Sequence, residues 1–185
     1  PAIGSLDLEA GNVACDAGRL VLTEQLRSQS NPKVFAAGDA AASGPPLTPV
    51  SSHDAKVVVE NILEDSGRTP NYRGVPSALF TEPPAARVGM LESEAREAGM
   101  DFTVHAGSHP GWFSARRLNA EIYGHKLLVE NATGRILGAH LVGPDADELI
   151  NIFGLAMRHG LNADDIKSTM FAYPTAASDA GYMLG

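Results

Sequence analysis

The chain has 185 residues, 44% hydrophobic, 19% charged and 6% aromatic, a composition that builds one ordinary core and leaves room for a second small unit. Fourteen Lys and Arg against 22 Asp and Glu give a net charge of −8, and without a basic run no nucleic-acid partner is expected. No apolar stretch approaches the ~20 residues that cross a bilayer, so no membrane partner is expected either.

The single cysteine, Cys15, can form neither an internal disulfide nor a Cys-x-x-Cys pair. It reads as structural or incidental, and the chain as a cytoplasmic, reduced-compartment protein. The first residue is Pro1, from which a missing upstream part is expected.

Gly18 turns into the apolar run Leu20-Val21-Leu22, and Asn31-Pro32 breaks the chain. Val34-Phe35-Ala36-Ala37 then reads as a buried strand ending in Gly38-Asp39. After a loop of small residues, Thr48 is expected to cap a helix with Pro49 in its first position, spanning about 49–64. Ala55, Val58, Val59 and Ile62 form its expected apolar stripe, and Asp65-Ser66-Gly67 closes it. Residues 68–76, with Pro70, Gly74 and Pro76, read as a connection. The expected units are residues 1–72 and 73–185.

In the second unit Ala78-Leu79-Phe80-Thr81 reads as a strand, and Glu82-Pro83-Pro84 as punctuation. Residues 92–98 form an expected helix stopped by Gly99, followed by a strand over 101–105. Residues 122–130 and 135–142 flank the turn 131–134 as a hairpin. Asp145 with Glu148 matches a capping box before a helix with an apolar face of Leu149, Ile150, Phe153, Ala156 and Met157, ended by Gly160. Asn162 with Asp165 caps a shorter helix, and Tyr173-Pro174 begins an extended step.

Several tempting patterns have plainer readings. Ser52-His53-Asp54 has the residue types of a catalytic triad, but consecutive helical residues do not face one another. His105 and His109 would suit a metal on a helix, but Gly107 and Pro110 argue against a helix there, and no metal is expected. Asn131-Ala132-Thr133 reads as a turn rather than a glycosylation site.

The segment that points to chemistry is Pro32 to Asp39. A carboxylate at the carboxyl edge of a strand sits where open α/β sheets bind ligands, and it can accept bonds from sugar-like hydroxyls. Nine residues on, the start at Thr48-Pro49 offers a positive helix end to an anionic group. The spacing points to half of a nucleotide-cofactor site; a strand–turn–helix with a structural Asp is the plainer alternative.

Val34 to Asp39 resembles the second FAD-binding motif of the pyridine nucleotide–disulfide oxidoreductases, roughly Thr-x-x-x-x-(Val/Ile)-(Phe/Tyr)-Ala-x-Gly-Asp, with Gln29 at the Thr position. Leu47-Thr48-Pro49-Val50 is similar to their flavin-facing helix start. Residues 76–83, Ser114-Ala115-Arg116 and residues 135–144 are similar to parts of their C-terminal dimerisation domain, and the resemblance covers nearly the whole chain. It implies an α+β fold: an antiparallel sheet with packed helices, preceded by a strand–loop–helix remnant of the FAD domain.

The resemblance also implies roles. FAD would be held by Gly38 and Asp39, the latter on the ribityl chain, and by the helix start at Leu47 and Thr48 near the flavin pyrimidine. NAD(P)H would be the co-substrate, and the partners a second copy of the chain and upstream FAD and NAD(P) domains.

Where glutathione and lipoamide reductases carry His-Pro-Thr-x-x-Glu, this chain reads Tyr173-Pro174-Thr175-Ala176-Ala177-Ser178. Tyr173 and Ser178 are therefore the catalytic candidates, a phenol being a weak base at neutral pH but a competent donor; the alternative for Tyr173 is a packed aromatic. The family's mercuric reductases use a cysteine pair near the C-terminus, absent here, so mercury reduction is not expected. The expected function is the C-terminal fragment of an FAD-dependent NAD(P)H oxidoreductase, inactive alone. The alternatives are a free-standing dimerisation module or a flavoprotein reducing a quinone-like acceptor.

Overall fold

The computed structural model describes residues 2–185. The chain divides between Tyr72 and Arg73 into two compact units.

In the first unit, β1 (Cys15–Asp16) and β2 (Arg19–Leu20) form a two-stranded antiparallel ribbon. The strand expected over Val34–Ala37 does not form. Phe35 makes one isolated bridge to Arg27, flanked by Ser28 N–H to Val34 O and Ala36 N–H to Leu26 O. The facing segment curls away because Leu26 takes a left-handed φ of 62°. A 3-10 turn, Gly38–Ala40, follows at once.

Helix α1 (Thr48–Glu64) starts one residue earlier than expected. Leu47 holds the cap position, Thr48 is the first helical residue, and no side chain caps the end. Of the expected stripe, Val58 packs partly against the core of Leu26, Ala36 and Ala41, but the fully buried face is a different one. Val50, Asp54, Val57 and Asn61 are buried, whereas Val59 and Ile62 are 51% and 58% exposed. The buried polar positions explain the rotation. Asn61 Nδ2 donates to the Gln25 and Arg68 carbonyls while its Oδ1 accepts from Arg68 N–H, so the loops lie against this face through hydrogen bonds. Asp65, left-handed at φ 46°, ends the helix.

The second unit is built on a five-stranded antiparallel sheet of β3 (Ser77–Leu79), β4 (Ala85–Gly89), β5 (Phe102–Ser108), β6 (Gly124–Glu130) and β7 (Ile136–Val142), in the order β3-β4-β7-β6-β5. The hairpin of β6 and β7 was legible in the sequence; β4, with its alanines and glycine, was not. Gly89 pairs with Gly138 across β4 and β7. A Cβ at Gly89 would overlap the Leu137 carbonyl and one at Gly138 the Met90 carbonyl, so this crossing admits only glycine.

Helix α2 (Glu92–Glu97) follows β4, and Glu94 accepts from the Leu91 N–H at its start. Between β5 and β6 lies the short α3 (Phe113–Arg116), unanticipated from sequence. Helix α4 (Ala146–His159) lays Leu149, Ile150, Phe153, Ala156 and Met157 into the core, with Val88, Leu127, Ala139 and Leu141 of the sheet. Burying a side chain such as Phe153 contributes about 1.5–3 kcal/mol.

Asp145 does not make the expected capping box. It sits left-handed at φ 61° with no side-chain cap, and its carboxylate lies 3.6 Å from the Arg117 guanidinium instead. Gly160, left-handed, ends α4 as expected. Asn162 and Asp165 do exchange side-chain bonds at the start of α5 (Ala163–Ser168). The last elements are α6 (Ala176–Asp179) and a 3-10 turn, Tyr182–Leu184. Among the described residues no helix is long and apolar enough to cross a membrane.

Candidate functional site

Two regions carry the candidate residues, one in each unit. In the first unit, Gly38 has a left-handed φ of 58°, and a Cβ on it would overlap the Ser51 hydroxyl in the first turns of α1. The glycine is therefore needed both for its conformation and for its closeness to the helix. Its carbonyl accepts from Ala41 and Ala42 N–H at 3.0 and 3.1 Å, closing the 3-10 turn. Asp39, next in the turn, is exposed.

At the start of α1, Pro49 has no N–H, and the Val50 and Ser51 N–H groups both return to Leu47 O. The Leu47 N–H donates to Pro45 O at 2.8 Å, leaving the exposed Thr48 at the positive helix end. Acceptors from Asp39 and a positive helix end beside the same glycine turn are the donor and acceptor set that a polyol chain and an electron-rich ring edge require. The chemistry of these residues fits FAD.

Sequence reasoning missed the group beneath this turn. Asp54 is fully buried. Its Oδ2 accepts from the Gly38 N–H at 3.0 Å and its Oδ1 from the Tyr72 hydroxyl at 2.9 Å. Burial first, then the bond to Asp54, holds the Tyr72 phenol well above the usual tyrosine range, so it remains a donor. Neighbouring His53 accepts the Asn71 N–H on Nε2, so Ser52, His53 and Asp54 do not form a relay. The available signal was the 50–54–57–61 spacing, in which two polar residues occupy one helical face with two valines.

In the second unit, Tyr173 is 74% exposed and is joined to Pro174 by a cis peptide bond. Its ring lies 6.4 Å from that of Phe113. Tyr173 and Ser178 line one cleft of about 500 Å3 with Lys167, Phe171 and Tyr182. Among the described residues they are not hydrogen-bonded to each other. The Ser178 hydroxyl donates to Thr175 O at 2.6 Å and accepts from Thr175 N–H at 3.3 Å, while Thr175 Oγ1 accepts from Ser178 N–H. Ser178 thus works as the reciprocal half of the α6 cap. The next acid, Asp179, is buried and accepts from the Tyr123 hydroxyl at 2.8 Å.

Residues 75–183 match the family described as the pyridine nucleotide-disulphide oxidoreductase dimerisation domain. The chain belongs to this family. It corresponds to the C-terminal part of the class I pyridine nucleotide–disulfide oxidoreductases, and the antiparallel sheet with packed helices is their dimerisation-domain fold.

Dihydrolipoyl dehydrogenase of Bacillus subtilis is 30% identical over 175 residues, which are 95% of this chain and 37% of that enzyme. The HOCl-induced flavoprotein disulfide reductase RclA of Escherichia coli superposes with a TM-score of 0.87 at 30% identity, covering 100% of this chain and 42% of that one. The chain thus spans well under half the length of these oxidoreductases. A 19.7 kDa protein in the mercuric resistance operon of Staphylococcus aureus is 44% identical over 180 residues, 97% of this chain and 100% of that protein.

Proposed function

We propose that this chain supplies the dimer interface and half of the FAD site of an FAD-dependent NAD(P)H oxidoreductase of the disulfide-reductase type, in a cytoplasmic setting. The observation that carries the reading is the Gly38–Asp39 turn, packed through Ser51 against the start of α1. Asp39 accepts from the ribityl hydroxyls, Gly38 permits the close approach, and the helix start at Leu47 and Thr48 favours negative charge on the pyrimidine edge. Held there, FAD would supply two-electron transfer between a nicotinamide and an acceptor.

Tyr173 is exposed at its cleft and offers a phenolic donor to that acceptor, with Ser178 a polar neighbour in the same wall. Leu79, Phe80 and Met170 are 67%, 87% and 98% exposed. Exposed apolar groups of this size suit surface of residues 73–185 that a second copy covers. The isolated chain, holding part of a cofactor site, binds FAD weakly and does not turn over.

The test is a titration with FAD followed by quenching of flavin fluorescence. Asp39→Ala is expected to weaken binding about tenfold or more, the worth of a charge-assisted hydrogen bond. Equal affinity in the variant contradicts the role of Asp39.

A second reading is a free-standing dimerisation module without catalysis. The staphylococcal relative, 44% identical over its whole length, is the observation that favours it. A stable dimer that takes up no FAD would decide for it.

A further inference from the structure

We infer that Asp54 is a positioning residue for the cofactor-binding turn, fixing the Gly38 amide from below while being fixed itself by Tyr72. The inference rests on the FAD reading above. A carboxylate with 0% exposure on a helix is costly unless its oxygens are satisfied. Here each oxygen takes a donor from a different stretch of sequence, Gly38 N–H on Oδ2 and Tyr72 O–H on Oδ1.

The turn needs such an anchor. Its own closure is two backbone bonds onto Gly38 O, and the segment before it has one bridge in place of a strand. The Gly38 N–H points the other way, and Asp54 is what it meets. Asp54 thus holds the Ala37–Gly38 peptide while Ala41 and Ala42 hold the next one through Gly38 O, and Asp39 projects from the turn fixed between them.

Tyr72 makes the anchor rigid. Its ring lies against Gly44, where a Cβ would come within 2.7 Å of it, and stands edge-on to His53 at 6.3 Å. The phenol stays protonated, so Oδ1 always has its donor. Asp54 therefore acts as a fixed acceptor in the floor of the site, without touching the ligand.

The test combines hydrogen exchange at the Gly38 amide with FAD titration, in the full chain. Asp54→Leu is expected to speed exchange at Gly38 by about tenfold and to weaken FAD by a similar factor, with amides of the second unit unchanged. Asp54→Asn keeps an oxygen for Gly38 and an amide for the Tyr72 oxygen, and is expected to restore both readouts. Tyr72→Phe, which removes only the outer donor, gives a smaller change of the same sign and serves if the leucine variant does not fold. Unchanged Gly38 exchange and FAD affinity in Asp54→Leu and Tyr72→Phe overturn the positioning role. Wild-type protein that takes no FAD, with Gly38 exchange still responding to Asp54, overturns the cofactor reading and leaves the anchor standing.

Discussion

The Tyr123 hydroxyl donates a 2.8 Å hydrogen bond to Asp179 Oδ2, and both residues are buried. Tyr123 directly precedes β6 and Asp179 ends α6, so the bond ties the last helix to the sheet. Burial first, then this bond, holds the phenol far above the ordinary tyrosine range. The pairing also has a consequence for the site: Asp179, the acid after Ser178, is engaged with Tyr123 and does not orient Tyr173.

Breaking the pair from either side leaves a buried polar group without its partner. Asp179→Ala and Tyr123→Phe are each expected to lower stability by about 1–3 kcal/mol. The double variant should lose clearly less than the sum, because the second change removes a group already orphaned. Urea unfolding of the four proteins measures this, and additive losses would contradict the pairing.

His125 gives the second unit a pH dependence. Burial first, then the charges of His109 and His105, pushes its ring down to about 4 from an ordinary 6.5, against a bond to the Met183 backbone that raises it. Its Nδ1 is buried without a hydrogen-bond partner among the described residues. Between about pH 6.5 and 4 the unfolded chain binds a proton that the folded chain refuses. Stability therefore falls as the pH drops through that window and levels off below it. The full shift corresponds to about 3 kcal/mol, and access of water to the half-buried ring reduces this to roughly 1–2 kcal/mol. Urea midpoints at pH 7 and 4.5 should converge in His125→Gln relative to wild type.

The rotated face of α1 is checked by two truncations. Val57 is fully buried and Ile62 is 58% exposed. Val57→Ala should cost about 1–3 kcal/mol and Ile62→Ala less than about 0.5 in thermal or urea unfolding. The reverse order would restore the stripe of Ala55, Val58, Val59 and Ile62.

Where apolar spacing was regular, the sequence could be read directly. The face of α4, its Gly160 stop, the β6–β7 hairpin and the Asn162–Asp165 cap all follow from local chemistry. Misreadings arose where a polar side chain takes a buried place for a reason distant in the chain. Asp54 and Asn61 meet donors and acceptors 16 and 36 residues away, which no periodicity reveals. Asp145 looked like a cap, but its backbone went left-handed and its carboxylate turned to Arg117. Of the candidate site, the glycine turn before α1 was legible because an apolar run ending in Gly-Asp calls for a chain reversal, whereas the FAD roles of Gly38 and Asp39 come from the family resemblance. Asp54, Tyr72 and the Tyr123–Asp179 pair appear only when the chain is folded.

The most direct test of the account is the mass of the chain in solution. Light scattering at micromolar concentration should give the mass of two chains. Phe80→Asp and Met170→Asp, changes at the most exposed apolar positions of residues 73–185, should shift it toward one without loss of secondary structure. A wild-type mass of one chain throughout that range would contradict the assignment of this domain as a dimer interface.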